Sequence, residues 1–221
     1  MKLFFNALIK FCLGAVLCGA LLFLPAGSMS YYNGWLFLAL LFIPIFLLGA
    51  VMLVKAPKLL AKRLDFKEKQ KEQSSVVKGA ACIFLLGFII SGLDFRFGWS
   101  YVPTWAVIAA SAILLISYGL YAEVMRENAY LSRTVKVEKG QKVVDKGLYS
   151  VVRHPMYSVT VWLFLSIPVV LGSWWALLCF LPYIPLIVIR IIFEEKLLTA
   201  NLTGYKEYRL RVKYRLIPFV W

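Results

Sequence analysis

Long apolar runs alternate with short polar, lysine-rich stretches along this chain. Apolar positions dominate roughly 3–25, 34–55, 79–93 and 103–122. About 20 such residues are what a helix needs to cross a bilayer, so the pattern predicts a membrane helix in each. The apolar stretch 156–193 is too long for one span. It is interrupted at Leu171-Gly172-Ser173-Trp174, where Gly and Ser suit a turn. It reads as a helical hairpin with both halves embedded, kinked by Pro168, Pro182 and Pro185. The expected fold class is all-α: a polytopic transmembrane helix bundle of five to six spans, with a short cytoplasmic segment between spans.

The polar stretches divide the chain into two regions. Residues 1–119 hold the N-terminal membrane helices and a basic loop at 55–78, and residues 120–221 hold the rest, including the hairpin 156–193. Segment 131–149 alternates at Thr134-Val-Lys-Val-Glu and turns at Lys139-Gly140, which suggests a short hairpin-like lid. The N-terminus imitates a signal peptide, but its apolar run exceeds the usual h-region. It is read as a retained first membrane helix.

Composition strengthens the membrane reading and restricts the chemistry. Hydrophobic residues make up 62% of the chain and charged residues 16%, against about 45–50% and about 25% in soluble domains. The net charge of +14 fits topology and anionic lipid, and no aromatic-basic nucleic-acid motif accompanies it. Nucleic-acid binding is therefore not expected. Lys and Arg crowd 55–78, 126–153 and the tail after 195, while 27–33 and 171–175 hold none. The positive-inside rule then places both termini and both basic loops in the cytoplasm. The four cysteines form no CxxC pair and there is one histidine, so no metal site is expected.

Charged groups at the mouths of membrane helices are costly unless they hold each other or a ligand. The only histidine, His154, stands between Arg153 and Pro155 in Gly147-Leu-Tyr-Ser-Val-Val-Arg-His-Pro-Met-Tyr157. Pro155 suits the first turn of a helix, and Tyr157 would share a face with His154. His154 either caps that helix or contacts a ligand carboxylate or ring nitrogen. Further on, Arg190 and Glu194 are four apart and share a helix face, with Glu195 turned about 100° away. They are either a local ion pair at the interface or, because adjacent carboxylates repel, a site for a cationic amine or sulfonium. At the opposite membrane face, Asp94 and Arg96 read as a structural ion pair anchored by Trp99 and Tyr101.

Taken in order, Gly147-Leu-Tyr149, Arg153-His154-Pro155-Met156-Tyr157, Arg190-xxx-Glu194-Glu195-xx-Leu198, Tyr205-xx-Tyr208 and Arg215-Leu-Ile-Pro218 resemble the isoprenylcysteine carboxyl methyltransferase family. That family stands in a wider group with the phospholipid N-methyltransferases. The resemblance covers roughly 120–221, and the Asp94-to-Trp99 stretch looks like that of bacterial members. It implies S-adenosylmethionine as cofactor, so that the cytoplasmic segment becomes cofactor-binding. His154, Pro155 and Tyr157 would contact the cofactor, with Tyr149 and the backbone around Val144 and Gly147 lining its pocket. Glu194 or Glu195 would meet its ammonium group, and Arg190 and Glu194 would lie near the transferred methyl as catalytic residues. The chain departs from many relatives at Ser158-Val159-Thr160, where they carry Gly.

The implied reaction is methyl transfer to a lipophilic or prenylated acceptor drawn from the membrane lipid, first of all carboxylate O-methylation as in isoprenylcysteine esterification. Amine methylation on a phospholipid stays open. So do an NADPH-dependent reductase of the sterol type and a non-catalytic lipid-binding protein.

Overall fold

In the computed structural model, which describes residues 2–64, 71–131, 137 and 140–221, regular structure among the described residues is helical, without strands. The chain runs through α1 (Lys2–Ala26), α2 (Tyr32–Lys55), α3 (Pro57–Arg63), α4 (Lys71–Phe97) and α5 (Thr104–Glu127). A 3-10 turn at Gly147–Ser150 precedes α6 (Pro155–Val170), α7 (Trp174–Phe180), α8 (Tyr183–Asn201) and α9 (Tyr205–Arg211). Among the described residues, five stretches are long and apolar enough to cross a membrane: Leu3–Ala26, Tyr32–Lys55, Ser75–Phe97, Thr104–Glu127 and Trp174–Asn201. They fit a multi-pass membrane protein. The 16 residues of α6 reach about 24 Å at 1.5 Å per residue, short of a bilayer core of about 30 Å.

Three boundaries differ from the pattern reading. The third helix begins at Lys71, not 79, because Lys71, Glu72 and Gln73 are good helix formers and continue the backbone beyond the apolar window. The polar stretch 55–78 is thus not one loop; it also contains α3, which starts on Pro57. The hairpin turns where expected, with Gly172 at φ 78° and Ser173 capping α7 by accepting from the Ala176 amide. Its second half, however, is broken in two. Pro182 separates α7 from α8 instead of kinking one helix, since it has no N–H for the preceding turn. Pro185 then falls in the first turn of α8, where no N–H is required.

The expected lid falls partly on 132–136, 138 and 139, outside the described residues. Its described remainder, 141–145, is irregular chain after a turn at Gly140.

Contacts at the two ends fix which termini lie together. At one end the Tyr31 hydroxyl donates to the Leu171 carbonyl (2.6 Å), and the Trp174 indole donates to the Tyr101 carbonyl (3.0 Å). Asp94 is buried there and accepts from the Ser100 amide and hydroxyl and from the Ser173 hydroxyl. The expected Asp94–Arg96 ion pair is not formed. The carboxylate ties the loop after α4 to the hairpin turn, and Arg96 lies over Phe97. At the other end Lys10 donates to the Leu64 carbonyl (2.6 Å), and Met52, Leu60 and Met125 form an apolar cluster. The starts of α1, α4 and α6 and the ends of α2, α5 and α8 gather here, together with the described basic residues of both polar stretches.

Between the ends, α1 packs along α4 and α5 along α6. A core of Phe84, Phe88, Phe164, Phe180 and Tyr183 joins α4 to the hairpin. Gly92 lets α4 approach α1: a Cβ there would stand 2.5 Å from the Leu22 carbonyl oxygen.

Candidate active site

The site forms where the start of α6, the end of α8, α9 and the C-terminal tail converge. His154 is the residue before α6 and Pro155 its first residue. The chain preceding it is locked to the tail: the Arg153 amide donates to the Tyr214 carbonyl and the His154 amide to the Arg215 carbonyl, both at 2.9 Å. The Arg153 guanidinium also donates to the carbonyls of Val212 (2.7 Å) and Lys213 (2.8 Å).

Glu195 is the hub of this clamp. Its carboxylate accepts from Arg153 Nε at 2.6 Å and from Arg215 Nε at 2.9 Å, and lies 3.3 Å from His154 Nε2. Arg153, His154 and Glu195 are all buried. A carboxylate facing Nε2 requires the proton there, which leaves Nδ1 as the other ring atom. Helical geometry turns Glu194 to a different face. It accepts from the Tyr157 hydroxyl, which itself accepts from Arg190 Nε at 2.9 Å. The Arg190 guanidinium also lies 5.8 Å from the Tyr157 ring centroid, and the His154 and Tyr157 rings stack at 5.8 Å.

A cleft of about 100 Å³, partly open to solvent, lies against this cluster. Its walls include Val144, Tyr149, His154, Tyr157 and Glu194 among the residues expected from the sequence. Gly147, Pro155, Arg190 and Glu195 do not line it. Gly147, at φ 58°, instead makes room for the Glu127 carboxylate, which accepts from the Leu148 amide.

The cleft is also walled by Asn128, Tyr130, Tyr205 and Tyr208, which the sequence reading did not assign to the site. Asn128 donates to the Tyr149 hydroxyl (3.0 Å), and the Tyr208 hydroxyl donates to the Tyr149 carbonyl (2.7 Å). The i, i+3 spacing of Tyr205 and Tyr208 on a short helix was the available signal. Tyr205 differs from the others: its hydroxyl is buried without a hydrogen-bond partner among the described residues. Burial, then the charges of Glu195 and Glu194, push this phenol far up. It is therefore a fixed neutral donor. Among the described residues no group of His, Cys, Asp and Glu could hold a metal ion.

Residues 105–204 match the model of the phospholipid methyltransferase family. This stretch lies in the wider group of phospholipid and isoprenylcysteine methyltransferases. The match implies a membrane methyltransferase, and it carries most of the site: Tyr149, His154, Tyr157, Arg190, Glu194 and Glu195 are inside it, Tyr205 and Arg215 just beyond. No curated protein matches the chain.

Methyltransferases of this family generally use S-adenosylmethionine, and the residues fit such a group. A buried phenol without a partner costs free energy that a ligand acceptor would recover. Glu194, which lines the cleft, offers an anion to an ammonium.

Proposed function

We propose that the cleft binds S-adenosylmethionine and that the protein methylates a lipophilic acceptor carrying a carboxylate, of the prenylated-cysteine type. The observation that supports this most is that Glu194 and Tyr205 line one cleft, and that the buried Tyr205 hydroxyl has no hydrogen-bond partner among the described residues. When bound, the cofactor supplies an electrophilic methyl on sulfur for in-line displacement. Everything else falls to the chain's own residues.

Glu194 opposes the ammonium of the cofactor's amino acid portion, and Tyr205 donates to an acceptor atom. His154, oriented by Glu195, presents Nδ1 as a further polar contact. Leu131, Val143, Met156, Leu198 and Leu202 supply apolar wall that keeps water out, so that positioning contributes most of the rate. A carboxylate acceptor is already ionised at neutral pH and needs no base. Arg190, tied to the site through the Tyr157 hydroxyl, complements its charge.

An amine acceptor is the second reading. It is favoured by the Tyr157–Glu194 hydrogen bond, which leads from the site to a carboxylate able to take a proton. Both acceptors reach the site from the membrane, with the basic end of the bundle and both termini in the cytoplasm, here of a bacterial inner membrane.

The test is calorimetric binding of S-adenosylhomocysteine to detergent-purified protein, then methyl transfer to a farnesylcysteine derivative or to phosphatidylethanolamine. Binding, followed by esterification of the prenylated carboxylate, is expected. Folded protein that binds no S-adenosylhomocysteine would overturn the reading. Methylation of the amine lipid alone would select the second one.

A further inference from the structure

On the far side of α8 from the candidate active site lies a second cleft that the proposed chemistry does not use. It holds about 480 Å³, bounded by Ile192, Glu195, Lys196, Thr199, Lys206, Arg209 and Arg215 among others. Four cations line it against one carboxylate, and Glu195 is already committed to Arg153 and Arg215. Arg215 spends Nε on Glu195, and its terminal nitrogens have no hydrogen-bond partner among the described residues. Arg209 reaches Thr199 with one nitrogen, at 3.2 Å. Lys206 is exposed, with no carboxylate partner among the described residues. Convergent cations with spare donors, beside a hydroxyl, form the pattern that recognises a phosphate.

The surroundings select the source of that phosphate. Ile189, Ile192, Lys196 and Thr199 follow i, i+3, i+7, i+10 spacing and share one face of α8. Ile189 and Ile192 are 42% and 40% exposed within a membrane-spanning stretch. Lys196 then stands one turn above Ile192, toward the basic end of the bundle. The face is apolar where acyl chains run and cationic where headgroups sit.

We propose that this cleft binds the phosphate of an anionic membrane lipid, its acyl chains lying along Ile189 and Ile192. The site is independent of the methyl-transfer reading, although the two meet at Glu195. A headgroup held by Arg215 braces the clamp that positions His154 from its outer side.

The test uses the full chain in detergent, offered phosphatidylglycerol and phosphatidylcholine in equal amounts, with retained lipid counted by native mass spectrometry. The wild type should retain phosphatidylglycerol preferentially. Lys206→Glu with Arg209→Glu should cut that retention roughly tenfold or more. The charge-matched control Lys55→Glu with Lys58→Glu, at the end of α2 and start of α3, should keep it. The milder Lys196→Gln, Lys206→Gln pair breaks no hydrogen bond among the described residues and carries the test if the first variant melts early. Equal losses in the cleft and control variants would reduce the effect to surface charge and overturn the site. Unchanged retention in the cleft variants would overturn it too. Displacement of the lipid by an equal concentration of inorganic phosphate would assign the cleft to a soluble anion and overturn the lipid proposal.

Discussion

One helical step separates Glu194 from Glu195, yet it puts them on different faces of α8 and in different chemistry. Glu195 satisfies two guanidinium groups and a histidine in a buried clamp. Replacing it with Ala leaves Arg153 buried without its anion, a loss of about 3–5 kcal/mol when one partner of such a pair is removed. The expected result is a sharply lowered unfolding midpoint in detergent. Glu194→Gln should keep the wild-type midpoint within a few degrees and instead weaken S-adenosylhomocysteine binding, read by calorimetry. Tyr205→Phe makes a cleaner comparison. Its hydroxyl has no partner to lose among the described residues, so stability should hold while ligand affinity falls by about 1 kcal/mol, roughly fivefold. Helical spacing in the sequence already paired His154 with Tyr157 and Arg190 with Glu194, while only the charge topology and the family resemblance joined the two pairs. It could not divide the two carboxylates, because Arg153 and Arg215 lie 42 and 20 residues away from Glu195. Local periodicity carries no information over such separations.

At the scale of elements, apolar windows located α1, α2 and α5 closely because lipid-facing and core-facing sides are both hydrophobic. The same property concealed the α7–α8 break, where only Pro182 signals the change, and the early start of α4, whose first turns are polar. Two glycines test the packing. Gly92→Ala should lower the unfolding midpoint, because its methyl meets the Leu22 carbonyl, a backbone atom that cannot rotate aside. Gly147→Ala combines a positive φ, about 1–2 kcal/mol for an L-residue, with collision against the Glu127 carboxylate. Adding Glu127→Ala should relieve the collision and leave the backbone cost, so a double-mutant cycle should show a coupling energy of favourable sign. Additive losses would mean that the carboxylate moves away freely.

For the whole molecule, the decisive asymmetry is that the candidate site, the lipid-phosphate cleft and the described basic residues of the polar stretches share one end, while Asp94 and the serines that bind it close the other. A membrane-impermeant thiol reagent should therefore label Met29→Cys and Lys213→Cys from opposite sides of sealed vesicles, in a background without the native cysteines. Labelling of both from the same side would refute the topology. The tail clamp has a consequence for biogenesis. The membrane helices are all complete before Val212, Lys213, Tyr214 and Arg215 are made, yet those residues supply the carbonyls and the guanidinium that fix Arg153, His154 and Glu195. A chain halted after α9 would hold every membrane helix but lack the groups that fix Arg153, His154 and Glu195. The candidate site is thus completed only when synthesis has passed the tail, so the molecule is anchored first and its site closed last.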